Sequence, residues 1–165
     1  MKNGNYKSPI SALLWSMAFP GLGQLYNKEY VIGLVFIGLE VYFNLMSNIN
    51  MSLIYTFKWE LHKALAVANI KWGLFYPSIY AFAMWDAFNK AKNINHTLDI
   101  KNGSSTMAEK RTYYTGLFFG LVVGMVFGLS INFLISPVLS GISTGIVGAI
   151  LGNLIENLYI KHRKR

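Results

Sequence analysis

The sequence contains no cysteine and few charged residues. Disulfide bonds, thiolate zinc sites and cysteine nucleophiles are therefore excluded. Charged residues make up 13% of the 165 positions, whereas hydrophobic residues make up 53%. A soluble domain of this length cannot bury so much apolar surface. The composition therefore indicates an integral membrane protein.

The residue spacings of common catalytic and metal sites are also missing. The three histidines, His62, His96 and His162, lie in separate segments with no Glu-x-x-His or His-x-x-x-His spacing. The serines have no neighbouring base pattern, and the glycines lie in apolar stretches instead of a phosphate-binding loop. We therefore expect no catalytic residue, no metal ion, no cofactor and no enzyme activity.

The apolar residues are grouped in long continuous blocks. Such runs predict membrane-spanning helices, because a membrane β-strand alternates apolar and polar residues. The expected fold is all-α, a polytopic helical membrane bundle. Four blocks are about long enough to cross a bilayer and a shorter one precedes them: residues 31–46, 72–88, 113–135 and 137–160, and residues 10–26.

Two polar segments divide the chain. Residues 50–70 carry charges among apolar residues that recur every three or four positions, which predicts an amphipathic helix at the membrane surface. Asp86 and Lys90 are four apart, a spacing that predicts an ion pair. The expected organisation is a first domain containing that helix, a polar linker, a glycine-rich transmembrane hairpin and a basic tail: residues 8–89, 90–109, 110–160 and 161–165.

Two topologies are compatible with these blocks. If the short first block crosses the bilayer, the chain has five full spans and its N-terminal lysines lie outside. If Pro20-Gly21 instead makes that block re-entrant or half-inserted, four full spans remain and both termini are cytoplasmic. The second arrangement leaves only Lys58, Lys63 and Lys71 outside, and cytoplasmic loops are enriched in lysine and arginine. We therefore prefer four spans.

A proline-glycine element ends the first block. Pro20 and Gly21 stop a helix, and Gly23 allows close backbone approach. The Gln24 side chain can satisfy backbone groups that are freed at the break, and an amphipathic tyrosine ring favours the membrane interface. The pattern predicts a helix, a break and a second helix. Its residues are Pro20, Gly21, Gly23, Gln24 and Tyr26, followed by Gly33.

This element, Pro-Gly-Leu-Gly-Gln-Leu-Tyr, resembles the signature of the two-transmembrane (TM-two) domain family. Trp85-Asp86 is similar to the element that often closes bacterial variants of that domain. The resemblance covers residues 8–89, about half of the chain, and Asn27-Lys28 stands where many members have a glycine. It implies a helix–break–helix architecture in a bacterial plasma membrane. It implies no particular activity, because the family has no shared established one.

Glycines recur at helical spacing in the last two blocks. Small residues allow membrane helices to pack closely, so one stripe is expected to seal the hairpin. Purely intramolecular packing is the preferred interpretation; in the alternative, the other stripe is available to a second copy or another membrane protein. The glycines are Gly116, Gly120, Gly124 and Gly128 in the fourth block and Gly141, Gly145, Gly148 and Gly152 in the fifth.

Glu40 lies near the middle of the second block, and Asn44 follows one turn later. A carboxylate in a membrane is costly and usually faces protein or water. Gly33, Ile37 and Asn48 lie on the same stripe, which predicts a polar seam along the helix. The seam has two interpretations: a site for a proton or cation, or a protonated glutamate that stabilises packing.

Two functions follow from these patterns. The first is a non-catalytic membrane-organising or partner-binding protein. The second is a transporter or channel-like component that uses the seam at Glu40 and Asn44. The expected partners are the lipid bilayer and a second copy or another membrane protein. Nucleic acid is not expected, because the basic tail at residues 161–165 adjoins a span and is typical of contact with anionic lipid.

The preferred topology predicts that both termini lie in the cytoplasm. Small tags fused to either terminus should be protected from a membrane-impermeant reagent in intact cells, and both should react after the cells are opened. A tag inserted beside Lys58 should react without opening the cells and serves as the control. Termini on opposite sides of the membrane would rule out this topology and favour five spans.

Overall fold

The computed structural model describes residues 5–104, 113–131, 133–134 and 136–162. Within these ranges every regular element is an α-helix, which confirms the all-α prediction. The helices are α1 Pro9–Ala18, α2 Leu22–Tyr26, α3 Tyr30–Ser47, α4 Ile49–Phe57, α5 Leu61–Val67, α6 Ile70–Gly73, α7 Tyr76–Lys101, α8 Thr115–Ile131 and α9 Pro137–His162.

Serine-proline pairs begin the first and last helices. The Ser8 hydroxyl accepts a hydrogen bond from the Ser11 N–H at 3.1 Å, and Pro9 occupies the first turn, where its missing N–H is not needed. The Ser136 hydroxyl accepts from the Leu139 N–H at 3.3 Å in the same way. Local capping therefore determines where α1 and α9 start.

The chain forms two compact units, each built from two segments. The first contains the described parts of Met1–Gly38 and Phe82–Tyr113, and the second those of Leu39–Ala81 and Tyr114–Arg165. In the first unit α1 packs on α2. In the second, α4 packs on α5 and α9, and α8 packs along α9. Helices α3 and α7 each contribute residues to both units.

Two of the described helices, α3 and α9, are long and apolar enough to cross a membrane. Helices α1 and α8 are apolar but shorter, with 10 and 17 residues. The block expected at residues 72–88 is divided between α6 and the first half of α7. The described structure therefore contains two helices that meet the length and composition of a span, where the sequence predicted four or five.

The segment at residues 50–70 is not one amphipathic helix. Helix α4 ends in a left-handed turn at Trp59, whose φ is +62°, and the Glu60 N–H bonds back to the Tyr55 carbonyl at 2.9 Å. Helix α5 starts after this turn. Lys63 Nζ lies 2.5 Å from Glu60 Oε2 and lowers the pKa of that carboxyl group. The predicted single helix is therefore divided into α4 and α5, and the Glu60–Lys63 ion pair lies at the break between them.

Helix α7 extends to Lys101, so the predicted linker begins as helix. The stretch from residue 90 to 101 contains no glycine or proline, and the first left-handed residue is Gly103. Two residues of this stretch bind the N-terminal segment: Asn95 Oδ1 accepts from the Lys7 N–H at 2.7 Å, and Asp99 Oδ1 accepts from the Tyr6 hydroxyl at 2.8 Å. Residues 105–109 of the predicted linker, and 163–165 of the tail, lie outside the described residues.

Helices α8 and α9 pack backbone against backbone. A Cβ atom added at Gly116 would lie 2.5 Å from the Gly152 carbonyl oxygen, and one at Gly120 would lie 3.1 Å from Gly152 Cα and collide with the Gly148 carbonyl. No real side chain fits at such distances. These four glycines therefore allow the two helices to touch directly.

The remaining glycines lie in the same interface. A Cβ at Gly124 or Gly128 would collide with the α9 backbone, and one at Gly141 would lie 3.2 Å from Leu129 Cγ. At Gly145 the added atom would collide with the Met125 side chain. Both glycine stripes thus face each other in one interface, as expected for packing within the hairpin. Gly120, Gly124, Gly148 and Gly152 also line an open groove between the two helices.

A comparison of two mid-helix glycines tests this packing. Gly120→Ala should lower the free energy of unfolding by about 1–3 kcal/mol, because the new methyl group must displace the α9 backbone. Gly38→Ala is the matched control: no atom lies within 4 Å of its added Cβ, and alanine should stabilise α3 by roughly 0.5–1 kcal/mol. Reversible unfolding in mixed micelles, followed by circular dichroism, measures both. Equal effects would contradict glycine-mediated contact.

Candidate functional site

The proline-glycine element forms a corner in the first unit, which we call the Gln24 corner (Pro20, Gly21, Gly23 and Gln24 with Ala83 and Asp86). Gly21 has φ +104°, a conformation that side chains rarely adopt. A Cβ there would collide with the Gly33 carbonyl and lie 2.8 Å from Ile37 Cγ1. Glycine is therefore required at position 21 both for the turn and for its contact with α3.

Gly23 and Gln24 join α1, α2 and α7. A Cβ at Gly23 would collide with the Ala12 carbonyl and lie 2.8 Å from Ala87 Cβ. The Gln24 side chain is completely buried. Its Nε2 donates to the Ala83 carbonyl at 2.8 Å and to Asp86 Oδ2 at 2.9 Å, while its Oε1 accepts from the Ser16 hydroxyl at 3.2 Å. The amide thus bonds across to other helices instead of to the broken backbone.

Asn27-Lys28 stands where many members of the resembled family have a glycine. Lys28 has φ +69°, and the Glu29 N–H bonds back to the Gln24 carbonyl at 2.9 Å. This is the left-handed turn that most often ends a helix at glycine. Asn27, beside it, donates from Nδ2 to the Ala87 carbonyl at 2.7 Å. Bonds to α7 and to α2 therefore hold a conformation that lysine adopts less readily.

Tyr26 is held by the N-terminal segment. Its hydroxyl accepts from the Ser8 N–H at 3.0 Å, and Lys7 Nζ lies 4.6 Å from its ring centroid and donates to its carbonyl at 2.8 Å.

The ion pair predicted between Asp86 and Lys90 is wrong: Lys90 Nζ lies 2.6 Å from Glu29 Oε1, and Asp86 accepts from the Gln24 side-chain amide. Gln24 of α2 and Glu29, in the turn between α2 and α3, bind these two groups instead.

Trp85 packs on its own helix. Its ring stacks on Phe82 with centroids 5.8 Å apart and planes 19° apart. Its buried Nε1 has no hydrogen-bond partner among the described residues. Trp85 therefore contributes ring packing, whereas its neighbour Asp86 contributes the polar contact to the Gln24 corner.

Glu40 and Asn44 lie in the second unit. Glu40 is 1% exposed, and its Oε1 accepts a hydrogen bond from the Tyr76 hydroxyl at 2.8 Å. Asn44 Oδ1 accepts from the Asn50 N–H at 3.3 Å, so it binds the start of α4. Asn48 is exposed at the N-terminus of α4. The predicted stripe therefore contains one buried acid and two amides with different surroundings.

A cluster of hydroxyl groups in the second unit was missed by sequence reasoning. Thr56 Oγ1 lies 2.7 Å from Ser136 Oγ, and the Ser52 hydroxyl donates to the Ala64 carbonyl at 2.8 Å. All three hydroxyl residues are buried. Ser52 and Thr56 are four apart on α4, a spacing that places them on one face. This four-residue spacing was the sequence signal that could have predicted the cluster.

Glu156, near the end of α9, caps another helix. Its Oε2 accepts from the Gly116 N–H at 2.9 Å, at the N-terminus of α8. A carboxylate is stabilised at this position because the first N–H groups of a helix have no partner within it.

An apolar groove of about 550 Å³ runs along α8 and α9, lined by residues that include Phe119, Val123 and Leu151.

The described residues contain no group of three or more histidine, aspartate or glutamate side chains that could hold a metal ion. Comparisons with protein-family models, curated proteins and solved structures find no match to this chain. The resemblance to the two-transmembrane family therefore stays a prediction, and function must be inferred from the chain's own contacts.

The contacts of the Gln24 corner predict that two substitutions lower the free energy of unfolding by different amounts. Gln24→Leu keeps the volume but removes three hydrogen bonds, so the free energy of unfolding should fall by about 1–3 kcal/mol. Asp86→Asn is the control, because an amide oxygen can still accept from Gln24 Nε2, and it should have a smaller effect. Unfolding in mixed micelles measures both. A Gln24→Leu protein as stable as the wild type would show that the corner does not depend on this amide.

Proposed function

We propose that this chain is a small multi-pass helical protein of a bacterial plasma membrane that organises or binds membrane partners without catalysis. One observation carries the proposal: among the described residues, several polar side chains such as Gln24 and Glu40 are buried, while many large apolar side chains are exposed. Water-soluble proteins bury their large apolar residues. A bilayer interior solvates apolar surface and leaves buried polar groups to pair with one another.

The two long apolar helices, α3 and α9, both expose apolar side chains and bury polar ones. On α3, Val31 and Leu45 are exposed while Glu40 is buried. On α9, Ile150 and Ile155 are exposed, whereas Ser140 is fully buried. Hydrocarbon is a favourable surrounding for such apolar faces, and water is not. Exposure of these residues would be unfavourable in water, so it supports a location in a membrane.

The turn between α4 and α5 has the composition of a membrane interface. Phe57 and Trp59 are 82% and 76% exposed, and Lys58 lies between them. Aromatic rings and lysine collect where hydrocarbon meets the headgroups. This composition supports the predicted surface position of residues 50–70, although two short helices replace the single one.

We propose four crossings, by α3, α7, α8 and α9, with both termini cytoplasmic. Helix α1 has 10 residues, or about 15 Å at 1.5 Å per residue, against roughly 30 Å of hydrocarbon. A half-inserted α1 that turns back at the Gln24 corner follows from that length. Helix α8 has 17 residues, near the lower limit for a span.

The contacts of the motif residues support the family resemblance. Gly21, Gly23 and Gln24 each make a contact that another residue type would disturb, and Asp86 closes the same corner from α7. A shared signature is expected where several residues depend on one another in this way. We therefore propose that residues 8–89 form a domain of the two-transmembrane type.

A non-catalytic role is supported by how the buried polar groups are used. The buried Gln24 and Thr56 and the half-buried Glu156 each hydrogen-bond to another segment of their own unit. Their donors and acceptors stabilise the bundle and are not presented to a substrate. We therefore propose that the outer surface, in contact with lipid and with a second copy or another membrane protein, performs the function.

Purification from native membranes in a mild detergent tests the organising role. We expect particles heavier than one chain after the detergent contribution is subtracted, because the outer surface should retain a partner. Light scattering measures the protein mass, and mass spectrometry identifies what is present. Solubilisation in a harsh detergent provides the control, since it should yield single chains. Single chains in both detergents would contradict the proposal.

A transporter or channel-like component is the second candidate, and the buried acid Glu40 is the observation that favours it. Acidic groups within spans commonly belong to ion pathways. Purified protein in liposomes should then conduct protons or cations, and Glu40→Gln should abolish that flux. Equal flux from both proteins, or none from either, would leave the organising role alone.

A further inference from the structure

The Glu40 carboxyl group is only half satisfied. Oε1 accepts from the Tyr76 hydroxyl, but Oε2 is buried and has no hydrogen-bond partner among the described residues. Leaving a buried polar atom unpaired costs about 1–3 kcal/mol, and more when the group is charged. The stable state of this carboxyl group therefore needs a hydrogen-bond donor, a proton or a cation at Oε2.

The described surroundings of Glu40 supply no positive charge. The titratable groups facing it are two phenols of α7, Tyr76 and Tyr80, whose rings stack at 5.6 Å. The ion pairs of the described residues, Glu60 with Lys63 and Glu29 with Lys90, do not involve it. One carboxylate without a counter-ion in a buried place calls for a single positive charge that the described residues do not supply.

The groups around the Glu40 carboxyl group are a phenol and side-chain amides. The Asn50 side chain approaches the carboxyl group from α4. The backbone N–H of Asn50 is held by Asn44 Oδ1, so Asn44 positions it. Carboxylate, phenol and amide oxygens are ligands for hard cations. A soft metal would find no sulfur or imidazole ligand among these groups.

We propose that Glu40, Tyr76 and Asn50 form a binding site for a monovalent cation, a proton or Na⁺, at Glu40 Oε2. Asn44 is a positioning residue in this site. A proton needs only Oε2, whereas Na⁺ would also use the phenol oxygen of Tyr76. The inference deepens the second candidate function, but binding requires no flux and can be tested without it.

Labelling by dicyclohexylcarbodiimide tests the site in the full-length protein. This apolar reagent modifies protonated carboxyl groups in apolar surroundings. Glu40 should be labelled in acid, and labelling should fall about tenfold per pH unit above its titration midpoint. Mass spectrometry of the digested protein locates the modification. Glu40→Gln should lose it while keeping the elution volume of the wild type.

Sodium distinguishes the two occupants. At constant pH and ionic strength, replacing choline with Na⁺ should leave labelling unchanged if the site takes only protons. A decrease in labelling with Na⁺, but not with choline, would assign the site to Na⁺. Both results support a monovalent-cation site, and they identify which ion occupies it.

Two tyrosine variants test the geometry. Tyr76→Phe removes the hydrogen bond to Oε1, which favours the ionised carboxylate, so labelling should persist to higher pH. Tyr80→Phe is the matched control, because Tyr80 lies on the same helix and stacks on Tyr76 without a hydrogen bond to Glu40. An equal response of the two variants would contradict the assigned site.

A constant yield of labelling from about pH 5 to pH 9, unaffected by Na⁺, would overturn the proposal, because Glu40 would then be a permanently protonated packing group. If no labelling occurs, difference infrared spectroscopy of wild type and Glu40→Gln decides: the site requires a carboxyl C=O band that disappears on raising the pH or adding Na⁺. Absence of that band change would also overturn it. Cation-dependent labelling without flux would retain the site and remove the transport function.

Discussion

Close backbone contact at glycine is the constraint on which both units depend. In the first unit Gly21 and Gly23 bring the start of α2 against α1, α3 and α7, and in the second Gly120 and Gly148 bring α8 against α9. Because large apolar side chains are exposed, the chain has little hydrophobic core to hold its helices together. Dispersion contact between bare backbones, with a few hydrogen bonds, takes over that role.

The inward polar groups follow from the same constraint. Where backbones approach closely, only small or hydrogen-bonding side chains fit between helices, as Gln24 and Ser16 do in the first unit. Most of these groups are paired within the bundle. Among the described residues, Glu40 is a buried acid with one oxygen unpaired, whereas Asn27 and Asn89 each leave an amide oxygen unpaired. Because a carboxyl group can carry a charge and an amide cannot, Glu40 is the residue of these three whose chemistry suits a cation.

Features that depend on local spacing could be predicted from the sequence. The all-α class, the Ser8-Pro9 helix start and the break at Pro20-Gly21 were expected and are present. Features that depend on competition between helices could not be predicted. Lys90 pairs with Glu29 instead of Asp86, and the Gln24 amide bonds to α7 and α1 instead of to the broken backbone. No spacing rule within a helix determines which distant partner a side chain will reach.

The central claim is that the exposed apolar faces are in contact with lipid. The chain has no cysteine, so single spin labels can be introduced at Ile150, Leu154 and Lys101 without background. In bilayers we predict frequent collision with oxygen and little with a water-soluble nickel chelate at Ile150 and Leu154, both exposed on α9. Lys101, at the polar end of α7, should show the reverse. Strong collision with the chelate at all three positions would contradict the account.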